Sequence, residues 1–232
     1  MRKYKHIFFD LDRTLWDFEK NSEATFNDLY LIYNIEEILG CKFTEFFNNY
    51  KIHNIALWEL YRKGEIKKDF LSLNRFLYTL NDFGNNNLAL AQNLAKDYIA
   101  ISPQKNLLFP HTIETLDFLK DKYQLHIITN GFIEVQYKKI KNSGLEKYFS
   151  NTITSEEAGV QKPAKHIFDY SLQKANAMPN ESIMIGDDLQ TDILGAKNAG
   201  IDQIFFNIDN ISHNEEITHE IDSLIKIIDI LN

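Results

Sequence analysis

His6-Ile7-Phe8-Phe9 runs without a break into Asp10-Leu11-Asp12-Arg13-Thr14-Leu15, and no other stretch narrows the choice of fold so far. Consecutive apolar residues suit a strand covered on both faces, as in the middle of a parallel sheet. Open sheets of that kind bind ligands outside the carboxyl ends of their strands, which would put the acidic pair in the binding crevice. In extended chain Asp10 and Asp12, two residues apart, line one face, and in a turn leaving the strand both can still face one reacting centre. An ionised Asp10 then suits a nucleophile or a hard-metal ligand, and Asp12 an acid or base. The ordinary alternative is a polar turn that ends a strand, and the motif alone does not decide between them.

The rest of the chain divides by its periodicity. From about Trp16 to about Pro103 the apolar spacing is helical, as in Leu57, Leu60 and Tyr61 or Phe70, Leu73, Phe76, Leu77 and Leu80, and no strand signal interrupts it. Gly40, Gly64 and Gly84 punctuate the segment, with Asp69 and Asn81 as candidate caps, so four or five helices are expected. After Phe109-Pro110 helix and strand alternate. Strands are expected at Leu125–Thr129, Asn151–Ser155, Ser182–Ile185 and Gln203–Phe206, with helices over Ile113–Lys122, Ala164–Ala175, Gln190–Ala199 and Ile221–Leu231. That rhythm predicts an α/β fold, a doubly wound parallel sheet formed by residues 1–15 and 106–232, with residues 16–105 as an inserted all-helical domain.

In such a sheet the residues just past each strand meet even when they are far apart in sequence. Past the first strand stand Asp10, Asp12 and Thr14; past the second, Thr129, Asn130 and Gly131; past the fourth, Asp187 and Asp188, with Asp192 a turn further on. Lys162 lies in the loop leaving the third. Taken singly, a threonine at a strand end, a loop lysine and a Gly-Asp-Asp turn have ordinary roles in turns and on surfaces. Their joint occurrence at one end of one sheet is what unrelated turns seldom produce. Clustered acids repel unless a cation holds them, and a hard oxygen set without a His or Cys cluster suits Mg²⁺. A hydroxyl, a lysine and backbone N–H groups beside it suit a phosphoryl group.

Composition excludes other classes. A formal net charge of -8 and a pI near 5.4, with no basic run, argue against a nucleic-acid polymer or an anionic membrane as partner. Hydrophobic residues make up 44% of the 232, enough to fill a core. The single cysteine, Cys41, is expected as a buried apolar side chain in a reducing compartment, and the apolar stretch after Met1-Arg2-Lys3 stops at Asp10, too early for a signal peptide or a membrane span. A cytoplasmic location is the expectation.

The motif D-x-D-x-T at Asp10 to Thr14, the strand-end Thr129, the lysine of Gln161-Lys162-Pro163 and G-D-x-x-x-x-D from Gly186 to Asp192 together resemble the haloacid dehalogenase superfamily of phosphotransferases. The resemblance implies that Asp10 attacks phosphorus to form an aspartyl-phosphate, and that Asp12 protonates the leaving alcohol and then activates water. It implies that Thr129 and Lys162 hold the transferring phosphoryl, with Thr14, Asn130 and Gly131 around it. Mg²⁺ would be held by Asp10, the Asp12 carbonyl and Asp187, with Asp188 and Asp192 behind; which of Asp187 and Asp188 ligates directly stays open.

The helical insert is similar to the cap of that superfamily, which selects the substrate. Trp58, Tyr61 to Ile66, Asn74 to Phe76 and Ser155 to Pro163 look most like the 5′-nucleotidase subgroup that favours pyrimidine nucleoside monophosphates. Arg62, Lys63 and Arg75 suit a solvated helix face as well as a substrate contact. Trp16, Phe18 and Trp58 are expected in packing, and Lys138, Lys139 and Lys141 on an exposed helix face. The expected partner is a small phosphomonoester, in a monomer or a dimer. Alternatives on the same core are phosphatases of sugar phosphates or phosphoglycolate and a β-phosphoglucomutase-like phosphotransferase. A metal-independent dehalogenase is disfavoured because that branch lacks the second acid of the first motif, and a silent binding module because no motif residue is missing.

Overall fold

The computed structural model describes residues 4–232. Six parallel strands form one sheet in the order β3-β2-β1-β4-β5-β6: β1 (His6–Phe9), β2 (Gln124–Thr129), β3 (Phe149–Thr154), β4 (Ser182–Gly186), β5 (Asp202–Phe206) and β6 (His219–Ile221). β1 lies in the interior of the sheet between β2 and β4, and all four of its residues are buried. Alternation along it feeds two cores. Ile7 and Phe9 join Leu125, Ile127, Ile183, Ile185 and residues of α6 (Thr112–Lys120) on one face. Phe8 joins Ile128, Met184 and residues of α9 (Lys165–Ala175) on the other. This is the two-sided burial that an uninterrupted apolar run requires.

The chain divides into two compact units, Met1–Phe18 with Asn106–Asn232, and Glu19–Lys105. The first is the α/β unit. It retains Trp16, fully buried in the core that holds Ile7 and Phe9, and Phe18 packs against that core, so the break falls three residues beyond the position expected from periodicity. Leaving and returning segments are tied within this unit by a bridge between Trp16 and Leu108 and by the Asp17 amide donating to the Leu107 carbonyl at 3.1 Å.

The second unit contains α1 (Phe18–Ile32) from Glu19 onward, α2 (Ile35–Leu39), α3 (Phe43–Arg62), α4 (Lys68–Asp82) and α5 (Leu88–Ile101). Gly64 and Gly84, with φ of +73° and +72°, turn the chain between α3, α4 and α5 in the left-handed region that a β-carbon disfavours. Phe26 is the hub of the core, with ring centroids of Tyr50, Phe47, Tyr98, Phe76 and Phe46 between 4.0 and 5.9 Å away. Cys41 is buried beside it. Arg75, expected either on a solvated face or at a substrate, is instead 3% exposed, its guanidinium 4.6 Å from the Tyr98 ring centroid and hydrogen-bonded through Nη1 to Asn54 Oδ1 at 3.2 Å. Trp58 is half-buried, with its ring edge-on to Tyr61.

Two expected elements differ. The last helix, expected from Ile221, is only α11 (Lys226–Ile230), because His219–Ile221 pairs with β5 at the edge of the sheet. The helix expected over Gln190–Ala199 opens as a wide π turn, Leu189–Leu194, before α10 (Gly195–Asn198). Among the described residues no helix is long and apolar enough to cross a membrane.

Candidate active site

Phe9 pairs with Ile127 on β2 and with Ile185 on β4, so Asp10, Thr129 and Asp187 stand at one end of three adjacent strands. The chain reverses its order of strands between β1 and β4, the kind of switch point where open sheets part to receive a ligand. Asp10 is 6% exposed. Its Oδ1 accepts from Lys162 Nζ at 2.5 Å, and among the described residues nothing donates to Oδ2. One carboxylate oxygen is thus anchored and the other is left for chemistry.

Lys162 is nearly as buried as the sheet itself. Besides Asp10, its ammonium lies 2.6 Å from Asp192 Oδ1 and donates to the Ile128 carbonyl at 2.9 Å. It thus donates hydrogen bonds to Asp10 and the Ile128 carbonyl and forms a close ion pair with Asp192, whose Oδ1 receives no hydrogen bond, so that it neutralises and orients Asp10. Asn130 holds this lysine by its backbone: Oδ1 accepts from the Lys162 amide at 2.8 Å and Nδ2 donates to the Lys162 carbonyl at 3.0 Å.

Of the two adjacent acids after β4, Asp187 turns to the cluster and Asp188 turns away. Asp188 Oδ1 accepts from the amides of Gln190 and Thr191 at 3.0 and 2.9 Å, capping the π turn. Asp187 Oδ2 accepts from Arg13 Nε at 2.8 Å and Oδ1 from the Thr14 hydroxyl at 3.3 Å. Thr14 is fully buried, so its hydroxyl serves Asp187. The π turn brings Asp192 back against the strand end, where its Oδ2 accepts from the Asp188 amide at 3.2 Å. A β-carbon on Gly186 would collide with this carboxylate, which is why the strand ends in glycine.

Asp10, Asp187 and Asp192 each offer an oxygen, all within 4.8 Å of one another. Burial, with the neighbouring acids adding to it, raises all three above the ordinary carboxylate range, Asp187 to about 7. Burial alone would lower the Lys162 ammonium, but Asp10 and Asp192 outweigh it and raise it. Acids this close, short of positive charge and rich in hard oxygens, fit a divalent cation such as Mg²⁺. Asp192, expected behind the metal ligands, offers an oxygen to this group while also pairing with Lys162 and accepting from the Asp188 amide.

Thr129 and Asp12 complete the site. Thr129 Oγ1 accepts from Gln136 Nε2 at 2.6 Å and from the Gly131 amide at 3.2 Å, which leaves its own proton to donate. Asp12 is partly exposed and accepts from Lys139 Nζ at 2.6 Å and from Gln136 Nε2 at 2.9 Å. Both partners come from α7 (Ile133–Asn142), and sequence reasoning missed them. Lys138 and Lys141 are exposed as expected, but Lys139 is 4% exposed, because its face of α7 also carries the buried Gln136 and Ile140. The stripe Phe132, Gln136, Lys139, Ile140 does have core spacing; its two polar members hide it from a hydrophobicity count.

The sequence profile of the haloacid dehalogenase-like hydrolases matches residues 4–200. This chain belongs to that family. The haloacid dehalogenase-like relatives include the pyrimidine 5′-nucleotidase YjjG of Escherichia coli, 31% identical with 96% of this chain and 98% of that protein covered. The ribulose-1,5-bisphosphate 5-phosphatase of Halopiger xanaduensis is 26% identical over 97% of this chain and 98% of its own length. Among solved structures, the magnesium-bound HAD-hydrolase YfnB of Bacillus subtilis superposes with a TM-score of 0.89 at 28% identity, covering 99% of both chains. The doubly wound sheet is therefore the haloacid dehalogenase-like fold.

Proposed function

We propose that this hydrolase is a Mg²⁺-dependent phosphomonoesterase that works through an aspartyl-phosphate on Asp10, and that its substrate is a pyrimidine nucleoside 5′-monophosphate. The observation that carries the reading is the Asp10 carboxylate, one oxygen anchored by Lys162 and the other without a donor, beside two further acids and a threonine hydroxyl with its proton to give.

In the first half-reaction Asp10 Oδ2 bonds to phosphorus while the ester P–O bond breaks, and Asp12 gives a proton to the departing alkoxide. In the second, Asp12 takes a proton from water as that water attacks phosphorus, the acyl-phosphate bond breaks, and Asp10 returns as a carboxylate with inorganic phosphate released. Thr129 donates to a phosphoryl oxygen, and Lys162 keeps Asp10 oriented and its charge balanced. Mg²⁺ held by Asp10, Asp187 and the Asp12 carbonyl, with Asp192 beside them, supplies positive charge that lets an anionic nucleophile approach an anionic phosphate.

The nucleotide assignment leans on YjjG and the sugar-phosphate alternative on the ribulose bisphosphatase, both similar over nearly the whole chain. The buried thiol of Cys41 is in keeping with a reducing, cytoplasmic setting. The test is phosphate release from pyrimidine and purine nucleoside 5′-monophosphates, sugar phosphates and phosphoglycolate, with Mg²⁺ and with chelator, in wild type and Asp10→Asn. Metal-dependent preference for pyrimidine monophosphates, absent from Asp10→Asn, is expected. Preference for a sugar phosphate would replace the substrate and keep the mechanism; a bisphosphate intermediate would point to a mutase, and full activity of Asp10→Asn would discard the aspartyl-phosphate.

A further inference from the structure

Lys139 is a buried cation on the core-facing stripe of α7, and among the described residues its one carboxylate partner is Asp12, at 2.6 Å. A buried ammonium is costly unless it is paired, so this contact needs a reason beyond surface charge. The lysine is fixed from its other side as well. Its Nζ lies 4.0 Å from the ring centroid of Trp16 and 5.7 Å from that of Phe18, both of which pack in or against the core of the α/β unit. Ring faces attract a cation and restrict where it can sit.

The second oxygen of Asp12 is held differently. Gln136, itself fully buried, uses a single amide nitrogen to reach Asp12 Oδ2 at 2.9 Å and Thr129 Oγ1 at 2.6 Å, tying together the acid-base group and the phosphate-binding hydroxyl. The amide cannot be reversed without facing its oxygen to the carboxylate. A β-carbon on Gly131 would overlap the Gln136 side chain, so the glycine after Asn130 makes room for this bridge. Both oxygens of a partly exposed carboxylate are thereby fixed, each from α7.

We infer that Lys139 and Gln136 are positioning residues that together clamp the Asp12 carboxylate in the orientation from which it serves the reaction, with Trp16 and Thr129 as the fixed points of the clamp. The inference rests on the phosphomonoesterase reading above and deepens it. A partly exposed aspartate has several rotamers; ordering it beforehand removes that search from the barrier. Lys139 acts through Asp12 alone, whereas Gln136 acts through Asp12 and through the Thr129 hydroxyl that it also holds.

The test is a double-mutant cycle. Steady-state kcat and KM are measured with p-nitrophenyl phosphate, whose leaving group needs little protonation and so keeps Asp12-deficient enzymes measurable. The variants are Lys139→Met, Lys139→Arg and Gln136→Met, each in wild type and in Asp12→Asn, with thermal melts run on every one. Lys139→Met in wild type should lower kcat by about ten- to a hundredfold with KM little changed, Lys139→Arg should restore most of it, and Lys139→Met in Asp12→Asn should cost nothing further.

An equal fractional loss in both backgrounds, or no loss in wild type, would overturn the inference. Should Lys139→Met fail to fold, Lys139→Gln carries the same cycle with the same results expected and overturning, while Gln136→Met should lose more in wild type than in Asp12→Asn, equal losses in both assigning Gln136 to Thr129 alone and overturning its share of the clamp. A wild type that hydrolyses no phosphomonoester with Mg²⁺ present would overturn the phosphomonoesterase reading, and this inference with it, a result readily told apart from a failed cycle in an active enzyme.

Discussion

Asp187, just past the end of β4, and His126, within β2, pull stability in opposite directions with pH. Burial and Asp192 push the Asp187 carboxyl up to about 7 from 3.8. A folded pKa above the unfolded one means that the fold binds the proton more tightly, so this contribution is complete below about pH 4 and lost as pH rises through about 7. His126, fully buried in the sheet at 3.2 Å from His6, is lowered by burial to about 4 from 6.5. Its contribution is present above about pH 6.5 and lost as pH falls through about 4.

The two oppose each other across the acidic range, and a divalent cation held by the carboxylates would separate them, because it would not engage the buried histidines. The melting temperature should rise by several degrees when saturating Mg²⁺ replaces chelator, and by more at about pH 8 than at about pH 5, since ligand binding to the fold adds RT ln(1 + [L]/Kd). A rise equal at both values, or larger in acid, would remove the divalent cation from this cluster.

Elements succeed or fail as patterns according to what they pack against. The aromatic hub of the helical unit follows from ordinary amphipathic spacing, and its strength is concentrated in one residue. Phe26 is fully buried with five rings around it. Phe26→Ala should destabilise that unit by about 3–5 kcal/mol, read as a shifted chemical-denaturation midpoint; a shift below about 1 kcal/mol would mean that the rings re-pack around the gap.

The same helical spacing misled at α7 and at Arg75. On α7 a core stripe is built partly of glutamine and lysine. On α4 an arginine is buried among rings, with Asn54 as its hydrogen-bond partner in place of a carboxylate. In both places a side chain that composition assigns to water is held inside by groups remote in sequence. The edge strand β6 escaped notice for a related reason: three residues carry no period, and only β5 makes them a strand.

The two compact units invite separation, because the α/β unit joins the leaving and returning segments by its own hydrogen bonds at Trp16, Asp17, Leu107 and Leu108. Replacing residues 19–105 by a short Gly/Ser linker should leave a folded, Mg²⁺-binding core that hydrolyses p-nitrophenyl phosphate slowly and no longer distinguishes nucleotides from sugar phosphates. Retained discrimination would assign selectivity to the α/β unit itself.

What the sequence by itself determined is five of the six strands of the sheet, the helical segment after the first of them and the acids and lysine at the strand ends. Those follow from local patterns: an apolar run too long to have a wet face, a period that changes from helix to alternation, polar residues at repeated strand exits. What only the tertiary structure decided is how these groups divide their work. Asp187 faces the cluster while Asp188 caps a turn, Lys162 pairs with Asp10 and Asp192, Thr14 and Asn130 brace other residues, and Lys139 with Gln136 closes on Asp12. A side chain's role depends on which partner reaches it first in three dimensions, and those partners lie far away in sequence, as Asp187 does from Arg13, 174 residues apart.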